Sequence, residues 1–217
     1  MNSMNVAIIL ATCFSFLEVL IAKPLVAGGS ACNTYTIISA RGTGETQARP
    51  IGNRGFINGV LAAVPGGANH EVVYPASADF TGGPIQGAAE ANSFLTQQKS
   101  QCPEQTYVLI GYSQGAMVVT QTMRSLSISP DSVVAIVMYG NPFFTSGAPQ
   151  NMCAAKTGSG IASATGITMP AQFSSITFDC CLKGDEVCQT FGSIIPHLSY
   201  PGSSSEKAAI DFAVARL

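Results

Sequence analysis

Short apolar runs alternate along the chain with segments whose apolar positions recur at helical spacing. Five short apolar runs predict strands, of which 35–40 and 133–139 are interpreted as buried: 35–40, 70–74, 106–110, 133–139 and 173–178. Helical spacing predicts three helices: 84–99, 114–126 and 206–217. Residues 154–170, rich in Gly, Ala, Ser and Thr, predict a long loop. Because continuously apolar strands between helices form parallel sheets covered on both faces, we expect an α/β fold: a three-layer sandwich around a central, mostly parallel sheet.

The N-terminal segment has the composition of a secretory signal. Residues 6–22 are almost wholly apolar, and small residues at their end offer cleavage points. The five residues before them lack Lys and Arg, and Glu18 interrupts the apolar run. A membrane anchor is the alternative, but the uncharged run at 6–16 is short for a span. We expect a signal peptide over 1–27, with cleavage approximate within 22–29.

The remaining residues, 28–217, are expected to form a single domain that is secreted, extracellular and without an integral membrane segment. The 217-residue chain has seven cysteines, of which Cys13 lies in the signal segment, and the other six allow three disulfides. Disulfides persist in extracellular proteins, which agrees with secretion. Since His70 and His197 are isolated and no paired C-x-x-C motif is present, we expect neither a metal site nor a cofactor.

Charge narrows the class of partner. The chain carries 10 Lys and Arg against 12 Asp and Glu, for a formal net charge of −2, which leaves no basic field to attract nucleic acid. Only 10% of the residues are charged and 47% are hydrophobic. Such a lightly charged surface suits contact with a neutral or apolar material.

A G-x-S-x-G motif occupies 111–115, between the predicted strand 106–110 and the predicted helix 114–126. This setting is that of a nucleophile elbow, a tight turn that needs small residues two positions before and after the serine. The turn holds the Ser113 hydroxyl clear of the sheet, beside a helix N-terminus whose free N–H groups stabilise negative charge. The alternative is a plain glycine-flanked turn, since so short a motif also arises by chance.

A nucleophilic serine needs a base, because a free hydroxyl is scarcely ionised at neutral pH. Enzymes built on this elbow place the nucleophile first, the acid second and the histidine last in the chain. His197 follows Ser113 and fits that order. His70 precedes Ser113 and is interpreted as a loop or strand-edge residue.

Three aspartates between the serine and the histidine are candidates for the acid. Asp131 is interpreted as a turn residue, whereas the order alone leaves Asp179 open. Asp185 lies between Cys181 and Cys188, in a loop that one short disulfide would hold. A carboxylate that keeps an imidazole in one tautomer must itself be held in place, so we favour Asp185.

Four motifs follow one another in a specific order: ARGTGE at 40–45, GYSQGA at 111–116, GDEVC at 184–188 and HLSY at 197–200. In these motifs and their order, the chain resembles the cutinase family of secreted serine esterases, from about Cys32 to the C-terminus. The resemblance implies a lidless, cutinase-like α/β-hydrolase domain over 28–217.

The resemblance also implies a role for each motif. Ser113 would be the nucleophile, Asp185 would orient His197, and His197 would act as general base and acid. The oxyanion hole would consist of the backbone N–H groups of Thr43 and Gln114, with the Thr43 hydroxyl adding a hydrogen bond. The family's disulfides imply two pairs here and leave a third: Cys32–Cys102, Cys181–Cys188 and Cys153–Cys180.

Some features depart from the minimal family pattern. Cys153, Cys180 and the 154–170 loop are additions that change the surroundings of the site. We expect Arg41 and Glu45 to form a structural ion pair behind the oxyanion loop, without a catalytic role.

The function that the resemblance implies is hydrolysis of carboxylic esters, namely cutin-like polyesters and short- to medium-chain esters. The expected partner is an insoluble polyester or lipid-like ester substrate, and the expected state is a monomer. Apolar residues beside the motifs are interpreted as a rim around the site or as ordinary core: Phe80, Phe191, Ile194 and Ile195. An acetylxylan esterase of the same fold is the alternative, which the absence of Trp disfavours. A non-catalytic secreted surface-binding protein is more remote, because it leaves the ordered Ser, Asp and His unexplained.

Overall fold

The computed structural model describes residues 32–217, so the expected signal peptide lies outside the described residues. Five strands form one parallel sheet in the order β2-β1-β3-β4-β5. Their bounds are β1 Tyr35–Ala40, β2 Gly67–Glu71, β3 Thr106–Tyr112, β4 Val133–Tyr139 and β5 Thr177–Cys180. The helices are α1 Arg54–Ala63, α2 Gly82–Gln101, α3 Gln114–Arg124, α4 Glu186–Gln189, α5 Ile194–His197 and α6 Ser204–Val214. Short 3₁₀ turns occupy Pro130–Ser132, Ser163–Thr165 and Ala171–Ile176.

The two faces of the sheet are buried under different helix pairs. On one face, strand residues such as Ile38 and Leu109 pack with Leu95 of α2 and Val118 of α3. On the other face lie strand residues that alternate with these, and they pack against α1 and α6: Ile37, Val108, Ile110 and Val137. Helices therefore cover a parallel sheet on both sides, and the predicted three-layer α/β sandwich is confirmed.

The second strand lies earlier in the chain than predicted. The sequence predicts a strand over 70–74, but β2 is Gly67–Glu71 and its pairing with β1 ends at Ser39. Beyond that point the buried Arg41 side chain, rather than a strand backbone, donates hydrogen bonds to the carbonyl oxygens of Val72 and Tyr74. The prediction was wrong here because a side chain takes over the bonding that a strand would supply.

Two other elements differ from the predictions. The run at 173–178 is a 3₁₀ turn, Ala171–Ile176, followed by β5, which continues to Cys180. Helix α1 was not predicted, since its sequence includes two glycines that lower helix propensity. Burial of Phe56 and Val60 between the sheet and α6 stabilises α1 in spite of this cost.

Three disulfides hold the loops at both ends of the sheet, in the pairing that the resemblance implied: Cys32–Cys102, Cys153–Cys180 and Cys181–Cys188. The first ties the chain before β1 to the end of α2. The other two fix the segment between β5 and α4, which continues from the carboxyl edge of the sheet. Among residues 32–217, no helix combines the length and the hydropathy needed to cross a bilayer.

Candidate active site

Ser113 lies in a sharp turn between β3 and α3 and has a backbone φ of 56°, a left-handed conformation that non-glycine residues rarely adopt. The turn is held by a hydrogen bond from the Ser113 N–H to the carbonyl of Tyr139, at 2.8 Å. A Cβ at Gly115 would lie 1.9 Å from the carbonyl oxygen of Ala40, so α3 can approach β1 only through glycine. This strained turn, fixed by its neighbours, is the geometry of a nucleophile elbow.

His197, at the end of α5, lies against Asp185. Its Nδ1 is 2.9 Å from Asp185 Oδ2 and 3.0 Å from Oδ1, and both side chains are buried. Gly140, which follows β4, has a φ of 56°, and a Cβ there would lie 2.6 Å from the imidazole ring. The end of β4 therefore accommodates the His197–Asp185 pair only because residue 140 lacks a side chain.

The carboxylate of Asp185 has further donors. Its Oδ1 accepts a hydrogen bond from the Val187 N–H at 2.8 Å, and its Oδ2 accepts one from the Tyr200 hydroxyl at 2.7 Å. Burial raises the pKa of Asp185, but the His197 hydrogen bond and charge, with the Tyr200 and Val187 bonds, outweigh burial and hold that pKa below its usual range. Asp185 is therefore an anion at neutral pH.

Two tyrosines that we did not single out from the sequence support the histidine–aspartate pair. The Tyr112 hydroxyl donates to the backbone carbonyl of His197 at 2.9 Å, and the two rings stack with centroids 5.0 Å apart. Tyr200 contacts Asp185, as described. Both tyrosines stand inside the recognised motifs, but the sequence does not reveal which groups their hydroxyls reach.

The residues expected to form the oxyanion hole flank Ser113. Thr43 lies in the exposed loop after β1, and its N–H has no acceptor within residues 32–217. Gln114 is the first residue of α3, and the first N–H groups of a helix lack intrahelical acceptors. The buried Gln114 side chain donates to the carbonyls of Ser77 and Asp79, at 2.9 and 3.0 Å. Two N–H donors are thus available beside the serine.

The loop that carries Thr43 is fixed by Arg41 and Glu45, but not by an ion pair between them. Arg41 Nε donates to the backbone carbonyl of Glu45 at 2.8 Å, and no salt bridge joins the two side chains. The Glu45 carboxylate instead accepts backbone N–H bonds from Gly42, Ile51 and Gly52, at 2.7 to 2.8 Å. The expected ion pair was wrong, because loop N–H groups already satisfy the Glu45 carboxylate, while Arg41 also donates to the Gln47 side chain and to the carbonyls of Val72 and Tyr74.

Ser113 and His197 line one open groove of about 250 Å³, together with Thr43. The other lining residues include Tyr112 and Pro142 and five apolar side chains: Phe80, Ile161, Val187, Ile194 and Leu198. Of the expected rim residues, Phe80 and Ile194 line the groove, whereas Phe191 and Ile195 are exposed outside this lining. Ile161 was not anticipated, because the 154–170 loop has no motif that places it at the site.

The other candidates from the sequence lie elsewhere. His70 contacts Glu90 at 2.9 Å and stacks on Phe94, so it is a residue of strand β2 at the sheet edge, as interpreted. Asp131 is in the exposed 3₁₀ turn before β4. Asp179 is buried and accepts from Asn141 Nδ2 at 2.9 Å, while burial raises its pKa to about 7. Of the three aspartates considered, Asp185 is the one in contact with His197.

Among residues 32–217, no three His, Cys, Asp or Glu side chains converge as a metal site would require. The polar groups of the groove are a hydroxyl, an imidazole backed by a carboxylate, and backbone N–H donors. These groups are the requirements for nucleophilic acyl transfer.

Known proteins resemble this chain over most of its length. The family model described as Cutinase matches residues 31–217. The chain belongs to the cutinase family.

Relatives of this cutinase-family esterase have been described under several names. "Carboxylesterase Culp1" of Mycobacterium tuberculosis is 31% identical over 201 residues, which cover 88% of this chain and 87% of the relative. "Acetylxylan esterase 2" of Talaromyces purpureogenus is 28% identical over 86% of this chain and 88% of its own length. Among solved structures, "A novel cutinase-like protein from Cryptococcus sp." superposes with a TM-score of 0.78 at 32% identity, covering 88% of this chain and 98% of the other.

Proposed function

We propose that this cutinase-family esterase hydrolyses its substrates through an acyl-enzyme, with Ser113 as nucleophile, His197 as general base and acid, and Asp185 as the orienting carboxylate. The observation that carries the proposal is the buried His197–Asp185 pair, whose imidazole lines the same groove as the strained Ser113. A partner carboxylate on Nδ1 leaves Nε2 as the nitrogen that can take the serine proton.

Acylation begins when the Ser113 hydroxyl attacks the ester carbonyl and passes its proton to His197. The tetrahedral oxyanion accepts hydrogen bonds from the N–H groups of Thr43 and Gln114. His197 then donates the proton to the leaving alcohol, and the acyl group stays on Ser113 as an ester. Water adds to that ester with His197 again as base, which releases the carboxylic acid and restores the serine hydroxyl.

We propose apolar acyl esters as substrates, including cutin-like polyesters and short- to medium-chain esters. The groove is open, and its apolar walls match an acyl chain more closely than a sugar. Other large apolar side chains are exposed in the loops and in α5 at the carboxyl edge of the sheet: Ile51, Phe191 and Ile195. Burial of such side chains against a wax-like surface would hold the enzyme on an insoluble substrate.

Deacetylation of xylan is the second candidate, because the acetylxylan esterase relative matches most of the chain. An acetyl group needs little of the apolar wall formed by Ile161, Ile194 and Leu198. A paired assay on polyester film and acetylated xylan separates the two. Release of soluble products from the film supports our proposal. Rapid deacetylation of xylan without film hydrolysis would leave the catalytic assignment intact but would make acetylated xylan the substrate.

We also propose that the enzyme acts outside the cell. The three disulfides are stable in an oxidising compartment, and the apolar segment at 6–22 has the character of a signal peptide. N-terminal sequencing of protein from the culture medium tests this, with a mature N-terminus expected within residues 22–29.

Hydrolysis of p-nitrophenyl butyrate by purified Ser113→Ala tests the catalytic assignment. Loss of the nucleophile should lower kcat roughly 10⁴-fold or more, because the oxyanion hole alone leaves only residual catalysis. Ser100→Ala is the matched control, since Ser100 is exposed on α2 and its hydroxyl contacts only the carbonyl of Gln97. An inactive wild-type protein would instead favour the non-catalytic surface-binding alternative.

A further inference from the structure

We propose that Tyr200 is a positioning residue of this esterase: its hydroxyl donates to Asp185 Oδ2 and so fixes both the orientation and the basicity of the Asp185–His197 pair. The inference rests on the proposed function, because it assigns Tyr200 a role through the residues proposed to act as acid and base. HLSY, the fourth motif, thus contains the base at its first position and the support of the acid at its last.

The direction of the Tyr200 hydroxyl proton follows from its three polar neighbours, of which the disulfide sulfur of Cys188, 3.7 Å away, is only a weak acceptor. The Leu182 N–H donates to the phenol oxygen at 3.1 Å, so one side of that oxygen is occupied as an acceptor. Asp185 Oδ2 lies 2.7 Å from the phenol oxygen and, as a carboxylate oxygen, can only accept a hydrogen bond. The hydroxyl proton therefore points to Asp185. A charge-assisted bond of this length is among the stronger hydrogen bonds in proteins.

Tyr200 keeps its hydroxyl proton, and so remains a donor, at neutral pH. Its side chain is fully buried, and burial together with the negative charge of Asp185 raises the pKa of the phenol far above its usual range. The ring is held on several sides: it stacks on Tyr139 with centroids 5.2 Å apart and meets the rings of Tyr112 and His197 edge-on. Because the buried ring is packed on several sides, the position of its hydroxyl is fixed.

Loss of the Tyr200 hydrogen bond should change the proton affinity of the Asp185–His197 pair. With Tyr200 in place, Asp185 accepts hydrogen bonds from His197, Val187 and Tyr200. A carboxylate that loses one of its donors is more basic, so the pair would hold its proton more tightly. The charges of three other carboxylates also act on this cluster: that of Asp179 on Tyr200, that of Glu206 on Tyr139 and that of Glu45 on Tyr112.

Tyr200→Phe tests the proposal, with Tyr139→Phe as matched control. Tyr139 is equally buried and stacks on Tyr200, but its hydroxyl has no hydrogen-bond partner within residues 32–217. For soluble p-nitrophenyl butyrate, we expect Tyr200→Phe to lower kcat about tenfold with little change in KM. The acid limb of its kcat/KM profile should move to higher pH, whereas Tyr139→Phe should keep the wild-type profile.

A second substitution covers the case in which Tyr200→Phe does not fold, since the change also deprives the Leu182 N–H of its acceptor. Fluorotyrosine incorporated only at position 200 keeps the ring and the hydroxyl but makes the phenol a stronger donor. The acid limb should then move in the opposite direction, to lower pH. A residue with a merely structural role would give no such pair of opposite shifts.

The outcomes distinguish this inference from the proposed function. If wild type is active, Ser113→Ala is inactive, and both changes at position 200 leave kcat and the acid limb unchanged, the role of Tyr200 is overturned and the proposed mechanism stands. If Ser113→Ala keeps full activity, the proposed function itself fails. Opposite shifts of the acid limb in the two proteins support the inference.

Discussion

The backbone N–H of Ile161 donates a hydrogen bond to the carbonyl of Val187 at 2.9 Å. This bond joins the loop at 154–170 to the segment that contains Asp185, and both residues line the groove beside Ser113. Two further backbone bonds, from Gly160 to Phe144 and from Ala162 to Pro142, hold the same part of the loop. A segment that departs from the minimal family pattern therefore supplies a fixed wall of the groove.

Ile161→Ala should change the preference for acyl length. The exposed Ile161 side chain lines the groove that is proposed to take the acyl chain, and each methylene contact in an apolar site contributes about 1 kcal/mol or more. We expect kcat/KM for p-nitrophenyl octanoate to fall roughly tenfold, with little change for the acetate. Ile85→Ala, an exposed isoleucine on α2 outside the groove lining, is the control. Equal losses for the octanoate and the acetate would mean that Ile161 does not contact the acyl chain.

Gly140→Ala should damage the His197–Asp185 pair. The added methyl group would collide with the imidazole, and the positive φ would cost about 1–3 kcal/mol in the free energy of unfolding. We expect kcat to fall at least about 100-fold, since small displacements of catalytic groups have effects of that order. Gly166→Ala shares the positive φ but has open space around its Cβ. It should lose stability only, and equal activity in the two variants would contradict the proposed role of the pair.

Removal of two different disulfides should affect stability and activity to different extents. Cys181–Cys188 spans 7 residues around Asp185, whereas Cys32–Cys102 spans 70 residues far from the groove. Loop-closure entropy predicts a loss of roughly 2–3 kcal/mol for the short loop and roughly 4–5 kcal/mol for the long one. Replacing both cysteines of a pair by alanine should thus lower the unfolding free energy more for Cys32–Cys102. The same replacement should lower kcat more for Cys181–Cys188. If loss of Cys32–Cys102 lowered both the unfolding free energy and kcat more, the Cys181–Cys188 loop would have no role in holding Asp185.

Asp179 should make stability depend on pH. Burial raises the pKa of this carboxyl to about 7, above its value of roughly 4 in the unfolded chain, so the folded state binds the proton more tightly. Its contribution is present at low pH and is lost as the pH rises from about 4 to about 7. Asp179→Asn should flatten that part of the stability curve, by roughly 1–4 kcal/mol at pH 8. Urea unfolding from pH 4 to pH 8 measures this, with exposed Asp131→Asn as the control; parallel curves for wild type and Asp179→Asn would disprove it.

The sequence predicts the core strands well because their apolar character comes directly from burial on both faces. It does not predict α1, whose glycines oppose a helix until Phe56 and Val60 pack beneath α6. It also places β2 too late, since nothing in the sequence of 70–74 reveals that Arg41 satisfies the carbonyls there. Local pattern therefore fails where a distant side chain decides the conformation.

The candidate site likewise combines residues that the sequence reveals with contacts that it does not. Motif order predicted Ser113 and His197, and the short loop between Cys181 and Cys188 favoured Asp185 over Asp179, which the order left open. The contacts of Tyr112, Tyr200 and Ile161 depend on how separate loops meet above the sheet. No spacing in the sequence encodes such contacts, and they become visible only in three dimensions.

Covalent labelling with an alkyl phosphonate is the most direct test of the central claim, that Ser113 is the nucleophile of this esterase. The reagent phosphonylates an activated serine hydroxyl with release of its leaving group, and peptide mass mapping then locates the modified residue. We expect one label per molecule, on Ser113, with loss of p-nitrophenyl butyrate hydrolysis in proportion to labelling. His197→Ala should label far more slowly, because the serine then lacks its base. A label on any other serine, or full hydrolysis by a protein completely labelled at Ser113, would contradict the account.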